Sequence, residues 1–455
     1  MSDACQSSPQ SAVDADSAQQ RGWHGARLSR ANSNDLATYY FDRLALAWRR
    51  RNKLIASYHH DFNDLTEWDG HIHAYLEALV LLKDYACPQG LERLKEPLLN
   101  DELFTLALLA LTTQDTSLTQ ACIGLVQGMP NFIEPYAAAL TWVDWAACHT
   151  HLNRWPNHDE SYHRLYLTAL AHHDVALAPQ AITTWIEGLS DNARVATATL
   201  RCGISRGEAE WTIKASEWLE AAHPGLRLAA AEALIVLGPT RSRRELLPIL
   251  RDLALDSRST VSENAARKLL TIPCSEGQDL LEALEVDENR QRLYLEALGW
   301  TGETAAIPLL SERLDNPQQA RLAAAVIGSL TGSHPVHDGW QADAPPQATP
   351  PEANPGDDAL PPPDPDAGLP WPERARFEKW WRKQTDQGST RQRFLGGHPR
   401  ELDNLHQILR QGRLAWRPQA AWHQQILQRG RRFPWRAPAS HQHHHLALSA
   451  ESLNG

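Results

Sequence analysis

No stretch of about 18 consecutive apolar residues, the length of a membrane-spanning helix, occurs in the 455-residue sequence. The first residues, MSDACQSSPQSAVDADSAQQ, have no basic patch followed by an apolar core, so neither a membrane span nor a secretory signal is expected. Cysteine is equally sparse: Cys5, Cys87, Cys122, Cys148, Cys202 and Cys274 stand far apart with no C-x-x-C. This spacing argues against a disulfide framework and against a cysteine-based metal site, and it predicts reduced, buried thiols in a cytoplasmic protein. Also missing are G-x-S-x-G, a P-loop, a Rossmann fingerprint and H-E-x-x-H. The usual carriers of hydrolase, nucleotide-binding and zincin chemistry are therefore lacking, and no catalytic residue, cofactor or metal is assigned.

What the chain does contain is an ordinary globular balance, with 42% hydrophobic and 22% charged residues, so it is expected to fold over most of its length. Its charge is unevenly spread. Residues 371–436 hold 15 Lys/Arg against 5 Asp/Glu, a local +10 that leaves −21 on the remainder of a chain totalling −11. Between the two parts, residues 338–370 carry seven Asp/Glu and no Lys/Arg. The expected organisation is an acidic body, an acidic linker able to lie against basic residues, and a basic C-terminal piece.

The body reads as helix throughout. Residues 1–35 are Ser/Gln/Ala/Asp-rich without periodicity and are expected to be disordered. From Leu36 the apolar positions Leu36, Tyr40, Leu44 and Trp48 form a helical stripe. Three later stretches match one another: HPGLRLAAAEALIVLG (223–238), ENRQRLYLEALGWTG (288–302) and NPQQARLAAAVIGSLTG (316–332). Each runs from a polar turn through an Arg to a terminal Gly, and aligning those glycines puts Glu232 with Glu296. Turn starts at Asp191, His223, Asp256, Asp287 and Asn316 give a period near 31 residues. Two helices per period is the signature of a HEAT-like α-solenoid, here of about seven or eight helix pairs over residues 36–334. Residues 335–370 read as an extended Pro/Asp linker, 371–440 as a separate basic helical module, and 441–455 as tail.

The order of these parts carries a resemblance. Repeats ending in ARLAAAVIGSLTG precede an acidic Pro/Asp linker, LPWP…WW, RFLGGHP, LHQILRQGR and FPWRAPASHQ. Over residues 36–442 this looks like an uncharacterised bacterial family of HEAT-repeat-like proteins encoded in or near type VI secretion gene clusters. The resemblance departs at Phe394, Leu395, Gly396, Gly397, His398 and Pro399, where the family favours aromatic-Leu-Leu-Gly-x-Pro. It implies a cytoplasmic, non-enzymatic scaffold or adaptor with a protein partner, either a secretion-system component or an effector.

The candidate partner-binding or docking residues are Trp371, Phe377, Trp380, Trp381, Phe394, Arg410, Arg413, Trp416 and Arg417. Phe377, Trp380, Trp381 and Gln384 share one helical face, and interleaved Trp and Arg are common in protein interfaces. The same mixture suits docking on the chain's own acidic body first, a partner protein second and the stacking of single-stranded nucleic acid least. Trp142, Asp144 and Trp145 superficially fit HEAT-like DNA glycosylases, which is the enzymatic alternative. A toxin-specific immunity or regulatory protein is the third. The 21 histidines include the clusters HHDF (59–62), HIH (71–73), HTH (149–151), HHD (172–174) and HQHHH (441–445), but helical neighbours at i and i+2 point apart, so they read as structural or solvated rather than as ligands.

Overall fold

The computed structural model describes residues 30–155, 158–175, 192–239, 243–257, 259–345, 364–384 and 392–454. Among these residues the chain is mostly helical, with one short two-stranded hairpin. In order the helices are α1 (Arg30–Leu54), α2 (Phe62–Leu81), α3 (Lys83–Arg93), α4 (Asn100–Thr113), α5 (Thr116–Gly128), α6 (Ile133–Leu140), α7 (Trp145–Leu152) and α8 (Glu160–His173). They continue as α9 (Ala193–Arg206), α10 (Pro224–Leu237), α11 (Arg243–Leu255), α12 (Ser262–Leu270), α13 (Ser275–Glu285), α14 (Gln291–Thr301), α15 (Ile307–Glu312) and α16 (Ala320–Thr331). The C-terminal part adds α17 (Arg374–Gln384), β1 (Phe394–Leu395), β2 (His398–Pro399), α18 (Leu402–Gln411), α19 (Arg417–Gln428) and α20 (Ala439–Asn454).

Local chemistry sets the starts of these helices. Asp61, Asp115, Asp144 and Asp159 each accept hydrogen bonds from backbone N–H groups of the helix that follows, and Asn192 does the same for α9. These groups have no partner inside the helix, so a short side-chain acceptor is worth about 1 kcal/mol there. Two of the turn starts read from the period act in this way, His223 Nδ1 accepting from Leu226 N and Asp287 from Asn289 N, while Asn316 accepts from Gln318 N within the turn before α16. Helix α4 is apolar all round, with every residue from Leu103 to Leu111 buried. A helix of that kind must lie at the centre of a packed unit, and α4 touches α1, α2 and α6.

Neighbouring helices then pack in series, α6 on α8, α8 on α9, α9 on α10, α10 on α11, α11 on α12, α12 on α14 and α14 on α16. The apolar interior follows as three successive clusters, spanning Ala37–Ala169, Leu167–Ala233 and Leu228–Leu330, the last of which also takes in Trp340, Phe377 and Trp422. Each is continued by the next, as expected when single helices cannot bury their apolar faces alone.

The two ends of the proline- and aspartate-rich stretch are packed, which corrects the linker reading of 335–370. Trp340 is fully buried, edge-on to Phe377 at 5.1 Å between centroids. Around it Ala342 N donates to Trp371 O (2.8 Å), and Glu373 N donates to Trp340 O (2.8 Å). The acidic residues find arginines: Asp343 pairs with Arg376 (2.6 Å), Asp364 with Arg321 (2.6 Å) and Asp366 with Arg292 (2.9 Å). The remainder of the stretch, 346–363, lies outside the described residues.

Two further boundaries change. Helix α1 begins at Arg30, inside the segment expected to be disordered, while residues 1–29 lie outside the described residues. The tail reading of 441–455 gives way to α20, which starts at Ala439 and buries Gln442 and Leu446. The backbone N–H of Ala439 donates to Asp69 Oδ2 (2.6 Å), so a residue in α2 supplies the acceptor that starts the last helix.

Candidate functional site: the seam between the helical series and the C-terminal segment

The helices α9, α10, α12, α14 and α16 end at Arg206, Leu237, Leu270, Thr301 and Thr331, so successive ends lie 31, 33, 31 and 30 residues apart. Each end leaves backbone carbonyls without a partner inside its own helix and concentrates partial negative charge there. Side chains and backbone of residues 393–432 meet these ends one after another. Gln425 Nε2 donates to Ile204 O (2.6 Å), and Arg432 N donates to Ser205 O (3.0 Å). Arg429 donates to Leu237 O (3.0 Å) and to Gly238 O. Arg393 reaches Leu270 O (3.3 Å), and Trp422 Nε1 donates to Thr271 Oγ1 (2.9 Å). Arg400 and Gln419 both donate to Trp300 O (3.0 and 2.8 Å), Phe394 N donates to Gly302 O (2.8 Å), and Gly396 N donates to Ser329 O (2.6 Å). Five helix ends are thus covered by one segment, and cations sit where the helix dipoles favour them.

The sequence explains how the segment enters the seam. In RFLGGHP, β1 and β2 pair antiparallel with Gly396 and Gly397 between them, at φ of 59° and 78°. Two positive-φ residues in a two-residue hairpin strongly favour glycine. Gly332, which ends α16 at φ 74°, faces this turn so closely that a Cβ added there would stand 2.8 Å from Gly396 O. The repeat-terminal glycine is therefore also a contact point.

At its far end the segment reaches the start of the chain. Leu414 N donates to His60 O (2.9 Å), and Ala415 N donates to Ser57 O (3.0 Å), both in the turn after α1. A fourth apolar cluster joins Leu54, Ile55, Phe62 and Leu65 to Leu405, Leu409, Leu414, Phe433 and Leu446. Within it Arg417 is fully buried, its guanidinium 4.2 Å from the Phe62 ring and 5.5 Å from the Phe433 ring, with Nε donating to Leu409 O (3.0 Å). Burial, with Arg51 nearby, pushes this guanidinium down to about 9.

Charged groups are buried midway along the seam. Lys268 of α12 lies 3.5 Å from Glu232 of α10, and its ammonium sits 3.6 Å over the Trp422 ring of α19. Burial lowers Lys268 to about 7 even though Glu232 pulls it the other way. Glu296 of α14 rises to about 7, chiefly through burial and then through Glu263. Glu232 and Glu296, aligned in the sequence, lie on α10 and α14; Glu232 is buried, whereas Glu296 is only partly covered.

The residues singled out from the sequence meet different fates. Phe377 is buried, and Trp380 and Trp381 are half-buried against the third apolar cluster; Trp371 lies under Arg321 (4.5 Å). Phe394 belongs to the hairpin, Trp416 packs on the fourth cluster, and Arg413 Nη1 donates to His59 O (2.6 Å). Arg410 is exposed on α18. They do not form one separate module: α17 packs on α15, whereas α18, α19 and α20 pack on α2 and α10 and on one another. Sequence reasoning missed Lys268, Arg400, Gln419 and Gln425. The one signal for them was the shared register of Glu232, Glu296 and the terminal glycines.

Asp144 accepts from Ala147 N (2.8 Å) as the cap of α7, and Trp142 is covered by Arg51 (5.3 Å) and Phe104. Cys87, Cys122, Cys148 and Cys202 are buried free thiols. Among the described residues no group of three His, Cys, Asp or Glu side chains is arranged to hold a metal, and no helix is long and apolar enough to cross a membrane. No family model, curated protein or solved structure matches the chain.

Proposed function

We propose that this chain is a non-enzymatic protein-interaction scaffold, a HEAT-like α-solenoid whose row of helix ends is locked by its own C-terminal segment. The observation that carries the reading is the row itself, five helix ends at a period near 31 residues, all covered by residues 393–432. A regular row of helices supplies an extended surface suited to macromolecular partners, and the internal lock fixes its curvature. The Trp/Arg chemistry is largely spent on the chain itself, so a partner would meet the faces of the helices away from the seam. Following the resemblance to proteins of type VI secretion clusters, the partner is an effector or a spike-associated component, handled in the cytoplasm before loading.

The test is affinity capture of the tagged full-length chain from a native, secreting cell, followed by mass spectrometry. Enrichment of a secretion-system component or effector over a strain with secretion switched off is expected, and no such enrichment sinks the proposal. Rescue of growth by co-expression with one toxin, and with no other, would instead mark a dedicated immunity protein. The glycosylase alternative draws little support, because Asp144 is engaged as a helix cap and Trp142 is covered by Arg51.

A further inference from the structure

Two of the histidine clusters, HHD (172–174) and HQHHH (441–445), meet where α20 lies against α8. The second contains His441 and His445, four residues apart and so on one face of α20. The same i, i+4 spacing places both histidines of H-E-x-x-H on one zinc ion. In the structure the two rings converge, with Nε2 of His445 standing 3.1 Å from Nε2 of His441. Metal–imidazole bonds are about 2.0–2.1 Å long, so two nitrogens sharing an ion stand roughly 2.9 Å apart at a right angle and roughly 3.3 Å apart at the tetrahedral angle. The observed separation falls between those values. Both side chains are half-buried and so keep some contact with solvent.

The neighbouring groups hold the pair without joining it. The His172 ring stacks on His441 at 4.0 Å and 26°, and His172 itself donates to the backbone carbonyl of Thr141. A stacked ring presents its face and not its nitrogens, so His172 is a positioning residue for His441. Asp174, just after α8, lies in the field of both His441 and His445, but its carboxylate is engaged by Arg431 and by Arg206 (3.8 Å). Among the described residues no third protein ligand therefore joins the pair, and water completes the coordination of an ion bound there. Without metal, one Nε2–H donates to the Nε2 of the other ring. An ion replaces that hydrogen once the donating ring carries it on Nδ1, so both rings bind metal in their neutral form.

We propose that His441 and His445 form a two-histidine binding site for a divalent ion of the zinc, copper and nickel class, which staples the first turns of α20. Imidazole nitrogens suit these metals, whereas magnesium and calcium prefer oxygen ligands. A staple matters for this helix because its hold on the rest of the chain is slight, through Ala439 N on Asp69 (2.6 Å) and Leu446 in the fourth cluster.

The probe is zinc chloride, titrated calorimetrically into the untagged full chain at neutral pH, with magnesium chloride as a parallel arm and amide hydrogen exchange read with and without zinc. Saturable zinc binding is expected, with protection across 439–448 rising several-fold and magnesium giving no such response. Losing a ligand should cost at least as much as losing a supporting hydrogen bond, so His441→Gln and His445→Gln should each weaken zinc by roughly tenfold or more. His337→Gln, on the exposed turn before Trp340, should bind zinc like the wild type. Because exchange locates the site in the unaltered protein, the test does not depend on the variants folding. The assignment is overturned by any of four results: no saturable zinc binding, magnesium binding as tightly, zinc-induced protection that falls outside 439–448, or folded His441→Gln and His445→Gln variants no weaker than His337→Gln.

Discussion

Gly332 shows how one residue serves two levels of the structure. Its φ of 74° ends α16, and its missing side chain lets Gly396 O approach. Gly332→Ala forces a left-handed alanine and a Cβ against a carbonyl, so a loss of roughly 1–3 kcal/mol is expected in urea denaturation. A change within experimental error would show that the hairpin does not rest there. Glu232 gives a second test at this scale. Its carboxylate faces the buried Lys268 (3.5 Å), and Arg432 is also within its field. Glu232→Gln leaves those cations buried without their acid and should cost about 3–5 kcal/mol. Adding Lys268→Met should recover part of that loss, and a double-mutant cycle reads the coupling. The glycines and the alignment of Glu232 with Glu296 were legible in the sequence because the repeat displays them. Their partners were not, since Trp422 and Gly396 follow Glu232 by more than 150 residues and periodicity carries no information about what a distant segment covers.

Helix α20 is the element that sequence reading lost, because HQHHH offers no apolar stripe of its own. The helix is held through single contacts, Ala439 N on Asp69, His443 on Phe62 (4.6 Å) and Leu446 in the fourth cluster. Its histidines face α8: the His441 ring is 4.0 Å from His172, and His445 Nε2 is 3.1 Å from His441 Nε2. Burial first, and then the neighbouring histidines, lower His441 to about 4 and His172 further still; His445 is lowered by burial, His444 and Arg431, against Asp174. His173 is lowered by burial and raised by Leu140 O and Asp144. With the folded values depressed, the released helix binds more protons than the docked one. The docked state is therefore fully favoured above the unperturbed value near 6.5 and is lost as pH falls from there toward 4. Amide hydrogen exchange across 439–448, corrected for intrinsic rates, should show protection falling in acid by up to roughly tenfold per pH unit for each histidine involved. Combining His172→Gln with His441→Gln should flatten that slope, and protection independent of pH between 6.5 and 4.5 would refute the account.

At the scale of the molecule the seam turns a linear series into a closed one. A helical array in which each part touches only its neighbours can fray from either end. Here residues 393–446 contact the turn after α1, the ends of α9, α10, α12, α14 and α16, and helix α2, so most of the series is tied to one segment. The helical class and the period were legible because they are written locally. The closure was legible only in part: the +10 charge of residues 371–436 favours docking on the chain's own acidic body over a partner but says nothing of where, and only placement shows Arg393, Arg400 and Arg429 donating to helix ends. A specific protease site inserted between 346 and 363 separates the series from the segment covalently without touching a described contact. The cleaved chain is expected to migrate as one species on gel filtration at physiological salt and to unfold in a single transition at nearly the uncut denaturant midpoint. Raising the salt should weaken it little, because buried pairs such as Lys268–Glu232 and the apolar contacts of the fourth cluster are poorly screened. Two separate peaks after cleavage would mean that the covalent connection, and not the row of capped helix ends, holds the segment in place.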